Sequence, residues 1–252
     1  MSTRRAPSGL CGGALAGQYP DEVAFGLPNL MGLAWYDDFC AYNVSGRYGE
    51  KRWQLYAPGT GTTTSPGVTT AHEFGLQQCT VTVSGDTSAL VQNGSLEPIY
   101  RMVPVGSLFA VKIKHYTSTA DSVIWAGFSE NYIAPAGAVF VDFVGVRNEG
   151  GNWYGVCRDG NTETTVDLGL AASTSSSAYR VMGFFHANDG VRFFTADVTD
   201  RQVPPFITWF SPITTNHPNE DLSPIIGITS SAVGTKGFTA DFFNFGGRTT
   251  RG

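Results

Sequence analysis

Apolar and polar side chains alternate along much of this chain from about residue 33 onward. The alternation is clearest in residues 108–116, where Phe109, Val111 and Ile113 share one side and the lysines between them occupy the other. A period of two is typical of a β-strand with one buried face. Similar alternation or short apolar runs predict further strands at residues 33–39, 51–56, 76–83, 123–128, 139–147 and 237–245.

Turn residues between apolar runs predict two hairpins. Asp159-Gly160 separates residues 153–158 from residues 162–168. Asn188-Asp189-Gly190 separates residues 179–186 from residues 191–198. Glycine suits both turns because tight hairpin connections require positive φ angles.

No segment shows a sustained helical period, although short helical turns are predicted at residues 130–134 or 168–172, and residues 58–67 are predicted to form a loop. Many short strands separated by turn signals indicate an all-β fold. We therefore predict a two-sheet antiparallel β-sandwich of the jelly-roll kind, formed by residues 31–252.

Residues 1–30 have a different character, because they are rich in Gly, Ala, Pro and Arg and show neither strand nor helix period. This pattern predicts an extended N-terminal arm that lies across a surface. Arg4 and Arg5 are the residues of the arm that we expect to bind a partner.

Composition narrows the function classes. Among the 252 residues, charged side chains make up only 15%, and the formal net charge is −5, so we expect no nucleic-acid partner. No apolar run approaches the roughly 18 to 20 residues of a membrane helix, and no secretory leader is evident, so we expect neither membrane binding nor export. The cysteines, expected to be reduced thiols of a protein made in a cytosol, are Cys11, Cys40, Cys79 and Cys157.

The order of these elements is familiar: an aromatic-acidic strand at residues 35–39, the run Trp125-Ala126-Gly127-Phe128, the hairpin around Asp159-Gly160, and a closing strand with Asp241-Phe242-Phe243. It resembles the concanavalin A-like lectin/glucanase sandwich, in the form found in virion proteins of tailed bacteriophages. The resemblance implies that fold, with glycan binding and glucan hydrolysis as family functions. The family's hydrolases carry a Glu-x-Asp-x-x-Glu strand, which this sequence lacks.

Three patterns that suggest a metal or catalytic site have a simpler interpretation. His72-Glu73 would need a second histidine at position 76, which is Leu76. Asp37 and Asp38 are neighbours on a strand and therefore face opposite ways. The oxygen-rich residues 158–163 lack the spacing of a calcium loop and fit a hairpin turn. We therefore expect no metal, no cofactor and no catalytic residue.

A sugar-binding platform is the remaining candidate site. Aromatic faces stack on sugars, while Asp and Asn side chains bond hydroxyl groups, and the candidates are Trp153, Tyr154, Asp159 and Asn161. The alternative is that Trp153 faces the core.

The sequence favours a non-enzymatic structural protein of a bacteriophage particle, made in the host cytoplasm and located in the virion. It would be a head decoration or cement protein, or a tail-associated protein, that binds the major capsid protein or other virion subunits. We expect a homo-oligomer, with a trimer as the preferred form. The alternatives are a carbohydrate-binding module for receptor binding or adhesion, and a divergent glycan hydrolase or lyase.

Overall fold

A computed structural model describes part of the chain, and its residue ranges are 33–37, 47–48, 53–56, 62–67, 76–85, 87–91, 100–101, 105–115, 121–130, 141–172, 180–196 and 207–247. The predicted arm, residues 1–30 with Arg4 and Arg5, lies outside the described residues.

The described residues form seventeen β-strands and no helix. In chain order the strands are β1 (Leu33–Asp37), β2 (Arg47–Tyr48), β3 (Trp53–Tyr56), β4 (Thr62–Gly67), β5 (Leu76–Val81), β6 (Thr87–Val91), β7 (Tyr100–Arg101), β8 (Leu108–His115), β9 (Ser122–Ser129), β10 (Phe143–Glu149), β11 (Asn152–Asp159), β12 (Thr162–Ala171), β13 (Arg180–Ala187), β14 (Gly190–Ala196), β15 (Ile207–Trp209), β16 (Asp221–Ser230) and β17 (Lys236–Gly247).

These strands form two antiparallel sheets that pack face to face. The eight-stranded sheet has the order β15-β14-β13-β8-β17-β5-β4, with β1 also paired to β17. The nine-stranded sheet has the order β12-β11-β10-β9-β16-β6-β3-β2, with β7 also paired to β16. The predicted all-β, two-sheet antiparallel sandwich is therefore confirmed.

The core between the sheets is centred on four phenylalanine side chains that are fully buried. Phe109 and Phe184 of the eight-stranded sheet lie 5.3 Å apart, and Phe128 of the nine-stranded sheet meets Phe109 edge to face at 5.6 Å. Phe193 continues the group, with its ring 5.9 Å from that of Phe184. Burial of each ring stabilises the fold by about 2 to 3 kcal/mol, which makes this cluster the main link between the sheets.

Gly155 on β11 leaves the space that the Phe193 ring occupies. A Cβ atom added at Gly155 would overlap the carbon atoms of that ring. Any other residue here would force Phe193 out of the core or push the two sheets apart.

Three connections pass between the sheets at one end of the sandwich and are hydrogen-bonded to one another. The amide of Gly85, after β5, donates to the carbonyl of Ser230 at 2.7 Å, and that of Gly234, before β17, donates to Thr82 at 3.1 Å. The amide of Ser231 donates to the carbonyl of Asp121, before β9, at 2.8 Å. These bonds tie the sheets into one rigid block at this end.

Both predicted hairpins are confirmed as β11–β12 and β13–β14. Two local predictions are wrong: residues 62–67 of the predicted loop form β4, and residues 168–171 continue β12 instead of forming a helical turn. Strand β16, which carries Pro224, was not predicted. Pairing of β16 with β7 ends at Leu222 and pairing with β6 starts at Ile225, so the missing N–H of Pro224 falls between the two ladders.

We predict that Gly155→Ala lowers the free energy of unfolding by about 1 to 3 kcal/mol, because the added methyl group overpacks the core against Phe193. Denaturant unfolding of Gly155→Ala, Phe193→Leu and the double variant measures the coupling between the two positions. The smaller leucine should reduce the effect of Gly155→Ala, whereas additive effects of the two substitutions would contradict the proposed contact.

Candidate functional site

The outer face of the nine-stranded sheet is the side turned away from the core. Trp125 of β9, Arg147 of β10 and Tyr154 of β11 lie side by side there, because Arg147 is directly opposite both of the others in the sheet register. Trp125 belongs to a small apolar cluster separate from the main core, together with Phe143 and Val156. Alternation along the strands thus places aromatic and charged side chains on one surface.

The charged side chains on this face form an arginine–glutamate network, which consists of Arg147, Glu149, Arg158 and Glu163. The guanidinium of Arg147 donates two hydrogen bonds of 2.8 Å to the two carboxylate oxygens of Glu163. Glu149 lies 3.1 Å from Arg147, and Arg158 lies 3.6 Å from Glu163. The arginine and glutamate of the central pair are each only 20% exposed, so their charges are largely neutralised within the protein.

Trp125 fills the neighbouring part of the outer face. Its side chain is 1% exposed and lies against Gly227 of β16. A Cβ atom at Gly227 would come within 3.0 Å of the indole and 2.9 Å of Ala89. The indole is therefore a packing element here, without an exposed ring face for a ligand.

Carboxyl groups meet at the end of the sheet where β9 ends and β10 begins. Asp142 is 3% exposed and accepts a 3.0 Å hydrogen bond from the amide of Gly160. Partial burial, reinforced by the charges of Asp142 and then Glu220, raises the pKa of Glu130. The amide of Glu130 donates a 3.3 Å hydrogen bond to the backbone carbonyl of Asp142, which holds the two residues side by side. Across the described residues no group of three potential ligands is arranged to hold a metal ion.

The structure does not bring the four predicted sugar-binding residues together. Trp153 is 2% exposed and packs in the main core, so the alternative placement of this residue is the one observed. Tyr154, the next residue on β11, faces the opposite side of the sheet. Asp159 and Asn161 lie at the hairpin turn, about 16 Å along the strand from Tyr154.

Trp209 is an exposed aromatic residue that the sequence analysis missed. Its side chain is 49% exposed, and its ring lies 5.0 Å from that of Phe194 on the neighbouring strand. Phe194 packs on the outer face of the eight-stranded sheet, which places Trp209 on the same surface. The alternation in Ile207-Thr208-Trp209-Phe210 was the available signal, but a strand of three residues is too short to stand out.

Strand β12 forms an open edge of the nine-stranded sheet. Within the described part of the chain it pairs with β11 and no other strand. Asp159 and Thr162 face each other across a two-residue turn whose first residue, Gly160, has φ 57°, while Asn161 has no positive φ. This is a type II′ turn, from which hydrogen-bonded and non-hydrogen-bonded pairs alternate along the hairpin.

It follows that Glu163, Thr165 and Asp167 direct their backbone N–H and C=O groups away from β11, toward the open edge. The amide of Gly169, which has φ 62°, donates to the side chain of Asp167 at 2.8 Å and ends the regular edge. We call residues 162–168 the β12 edge.

On the same flank of the sandwich, the segment after β15 lies next to β12 and β14. Val191 and Ile213 exchange two backbone hydrogen bonds of 2.9 Å, which attach the segment after β15 to β14. The side chain of Asn216 then donates to the hydroxyl of Thr164 on β12 at 2.7 Å. These bonds attach the segment after β15 to both sheets, while no described segment pairs with the outward backbone groups of the β12 edge.

Two cysteines lie in the described residues: Cys79 and Cys157 are buried, and neither forms a disulfide. Burial raises the pKa of the Cys157 thiol. Cys11 and Cys40 lie outside the described residues. No helix in the described ranges is long and apolar enough to cross a membrane.

Neither a protein-family profile nor a curated protein matches this sequence. Solved structures do match. A Shewanella oneidensis MR-1 protein of unknown function aligns with a TM-score of 0.56 at 14% identity, over 92% of this chain and 94% of its own. A Bacillus licheniformis β-glucanase aligns with a TM-score of 0.52 at 15% identity, over 86% of this chain and 100% of its own.

A β-1,3-1,4-glucanase (lichenase) from a mouse hindgut metagenome aligns with a TM-score of 0.50 at 11% identity, over 85% of this chain and 99% of its own. The chain has the concanavalin A-like jelly-roll fold. The predicted resemblance is thereby confirmed for the fold. Identities this low show the fold alone. The bacteriophage origin of this jelly roll stays a prediction.

We predict that Glu163→Ala lowers the free energy of unfolding by about 1 to 3 kcal/mol, because Arg147 and Arg158 lose a half-buried partner. Thermal and denaturant unfolding measure the change. Asp189→Ala is the matched control, since it removes an ion pair with Arg192 whose side chains are 55% and 41% exposed. The control should change stability little, and equal effects of the two substitutions would contradict a structural role for the network.

A second prediction concerns how the stability of the fold depends on pH. The raised pKa of Glu130 means that its ionised form is disfavoured in the fold, so its contribution to stability declines as pH rises above its ordinary pKa. Glu130→Gln should therefore raise the melting temperature more at about pH 7 than at about pH 4. A change of the same size at both values would show that the charge of Glu130 does not matter.

Proposed function

We propose that this jelly roll is a non-enzymatic structural protein of a bacteriophage particle, either a head decoration or cement protein or a tail-associated protein, that binds neighbouring virion subunits. The observation that carries the proposal is the β12 edge. It offers a regular row of backbone groups to a partner, on the flank to which the segment after β15 is hydrogen-bonded.

Soluble proteins usually protect long edge strands with lysine, proline, bulges or a covering segment, because an open edge pairs with other chains. The β12 edge contains neither lysine nor proline, and the register shift in its pairing with β11 falls after Asp167, at the end of the edge. Thr162, Thr165 and Asp167 are exposed along it. An edge of this kind suits a protein that works within an assembly, where a neighbouring subunit covers it.

The arginine–glutamate network supports a non-enzymatic role. The two similar glucanases act, by their names, on β-glucans, and glycoside hydrolysis requires two carboxyl groups that face the substrate. On the outer face of this chain, Glu149 and Glu163 are instead engaged with Arg147. Each of these carboxylates is paired with a guanidinium group instead of a second acid.

Carbohydrate binding is the second candidate function, and Trp209 is the observation that favours it. An exposed indole with the Phe194 ring packed beside it on the neighbouring strand is a suitable surface for stacking on a sugar ring. The same residue would equally serve as an anchor in a protein interface, where tryptophan is enriched. For this function the candidate residue is therefore Trp209, because Trp153 is buried in the core.

The test is to purify particles of the phage that encodes the chain and to measure its copy number per particle by quantitative mass spectrometry. We expect a fixed, stoichiometric amount that resists washing at high salt. Absence of the chain from purified particles would overturn the proposal. In parallel, the purified full chain and Trp209→Ala are applied to a glycan array, and saturable binding lost in the variant would favour the second candidate.

A further inference from the structure

The β12 edge has the geometry of a strand acceptor. Glu163, Thr165 and Asp167 alternate with residues that are bonded to β11, so their N–H and C=O groups form the pattern that an added antiparallel or parallel strand requires. Addition of a peptide strand to an exposed sheet edge is a common recognition mode, in which backbone hydrogen bonds supply much of the affinity.

We propose that the occupant of this edge is the N-terminal arm of a neighbouring copy of the same chain. This inference rests on the proposed function, because it names the subunit contact that an assembled particle would use. The arm donates an extended segment to the β12 edge, and the acceptor copy donates its own arm to the next neighbour.

The sequence of the arm fits the acceptor. Residues 8–19, between Pro7 and Pro20, contain neither proline nor a charged residue, so every residue of this stretch carries a backbone N–H that can donate a hydrogen bond. The stretch is longer than the β12 edge, residues 162–168. Gly and Ala predominate in it, and small side chains allow close approach of the added backbone.

Charge also favours this pairing. The edge strand carries the exposed carboxylate of Asp167 on the outer face of the sheet, whereas the carboxylate of Glu163 is already paired with Arg147 and Arg158. The arm carries Arg4 and Arg5 just before its proline-free stretch, within a chain of net charge −5. Pairing of two β12 edges would bring acidic strands together, whereas the arm brings basic residues.

Donor and acceptor are different surfaces, so the contact is heterologous. Such contacts repeat from copy to copy and close into a ring when the rotation allows it. The predicted trimer is one ring of this kind, in which each sandwich gives one arm and receives one.

Two complementary variants of the full chain test the proposal by light scattering after size exclusion. Thr165→Pro removes an outward N–H from the edge but leaves the arm intact, and proline is tolerated on an edge strand where the N–H faces solvent. Deletion of residues 1–28 removes the arm but leaves the edge intact. Each variant alone should run as a monomer, near or just below the 27.0 kDa of the chain, while the unmodified chain forms oligomers.

The decisive step is to mix the two variants. The arm of Thr165→Pro should enter the open edge of the truncated chain and form a complex of one copy of each. Thr165→Val keeps the backbone N–H and should associate like the unmodified chain. Circular dichroism melts establish that each variant is folded, and Asp167→Pro blocks the same edge should Thr165→Pro fail to fold.

Three results would overturn the inference. Self-association of the truncated chain would indicate that two β12 edges pair directly. A monomeric unmodified chain would indicate that the arm serves its own domain or none. No complex in the mixture would exclude the arm as the donor. None of these results bears on the copy number of the chain in particles, which is measured separately. Failure of the inference is therefore distinct from failure of the proposed function.

Discussion

The contact of phenylalanine rings between the two sheets is the interaction on which the rest of this structure depends. Phe109, Phe184 and Phe193 project from one sheet and Phe128 from the other, and all four are fully buried. This packing fixes the distance between the sheets, and the space for it comes from Gly155, which lies beneath Phe193. Once the inner faces are fixed, strand alternation determines which residues remain for the outer faces.

On the outer face of the nine-stranded sheet, aromatic and charged side chains largely contact one another. Trp125 packs on Gly227, and Arg147 holds Glu163 with two hydrogen bonds. Groups satisfied in this way stabilise a rigid block and leave little free chemistry. A regular row of backbone groups lies open along the β12 edge within the described residues, and we therefore propose that function lies at an edge of the sandwich and not on a sheet face.

Much of the fold could be predicted from sequence because its signals are local. The Asp159-Gly160 hairpin and the strand at residues 108–115 follow from turn chemistry and a period of two. Strand β16 could not be predicted this way, since Pro224 and Gly227 interrupt its pattern. Their presence is explained only by neighbours distant in sequence: a gap between two ladders for the proline, and the Trp125 indole for the glycine.

The candidate site was harder to predict for a related reason. Trp153 and Tyr154 are adjacent in sequence but lie on opposite sides of a sheet, and sequence alone does not say which side is the core. Exposure of Trp209 and pairing of Arg147 with Glu163 likewise depend on which strands become neighbours. The openness of the β12 edge is a property of sheet order, which no local pattern encodes.

The most direct test of the central claim is hydrogen–deuterium exchange at the amides of Glu163, Thr165 and Asp167, measured in the assembled full chain and in the chain without residues 1–28. An added strand hydrogen-bonds these amides, so the account predicts slow exchange in the assembly and fast exchange after truncation. Fast exchange at all three amides in both samples would contradict it, because the β12 edge would then be open in the assembly as well.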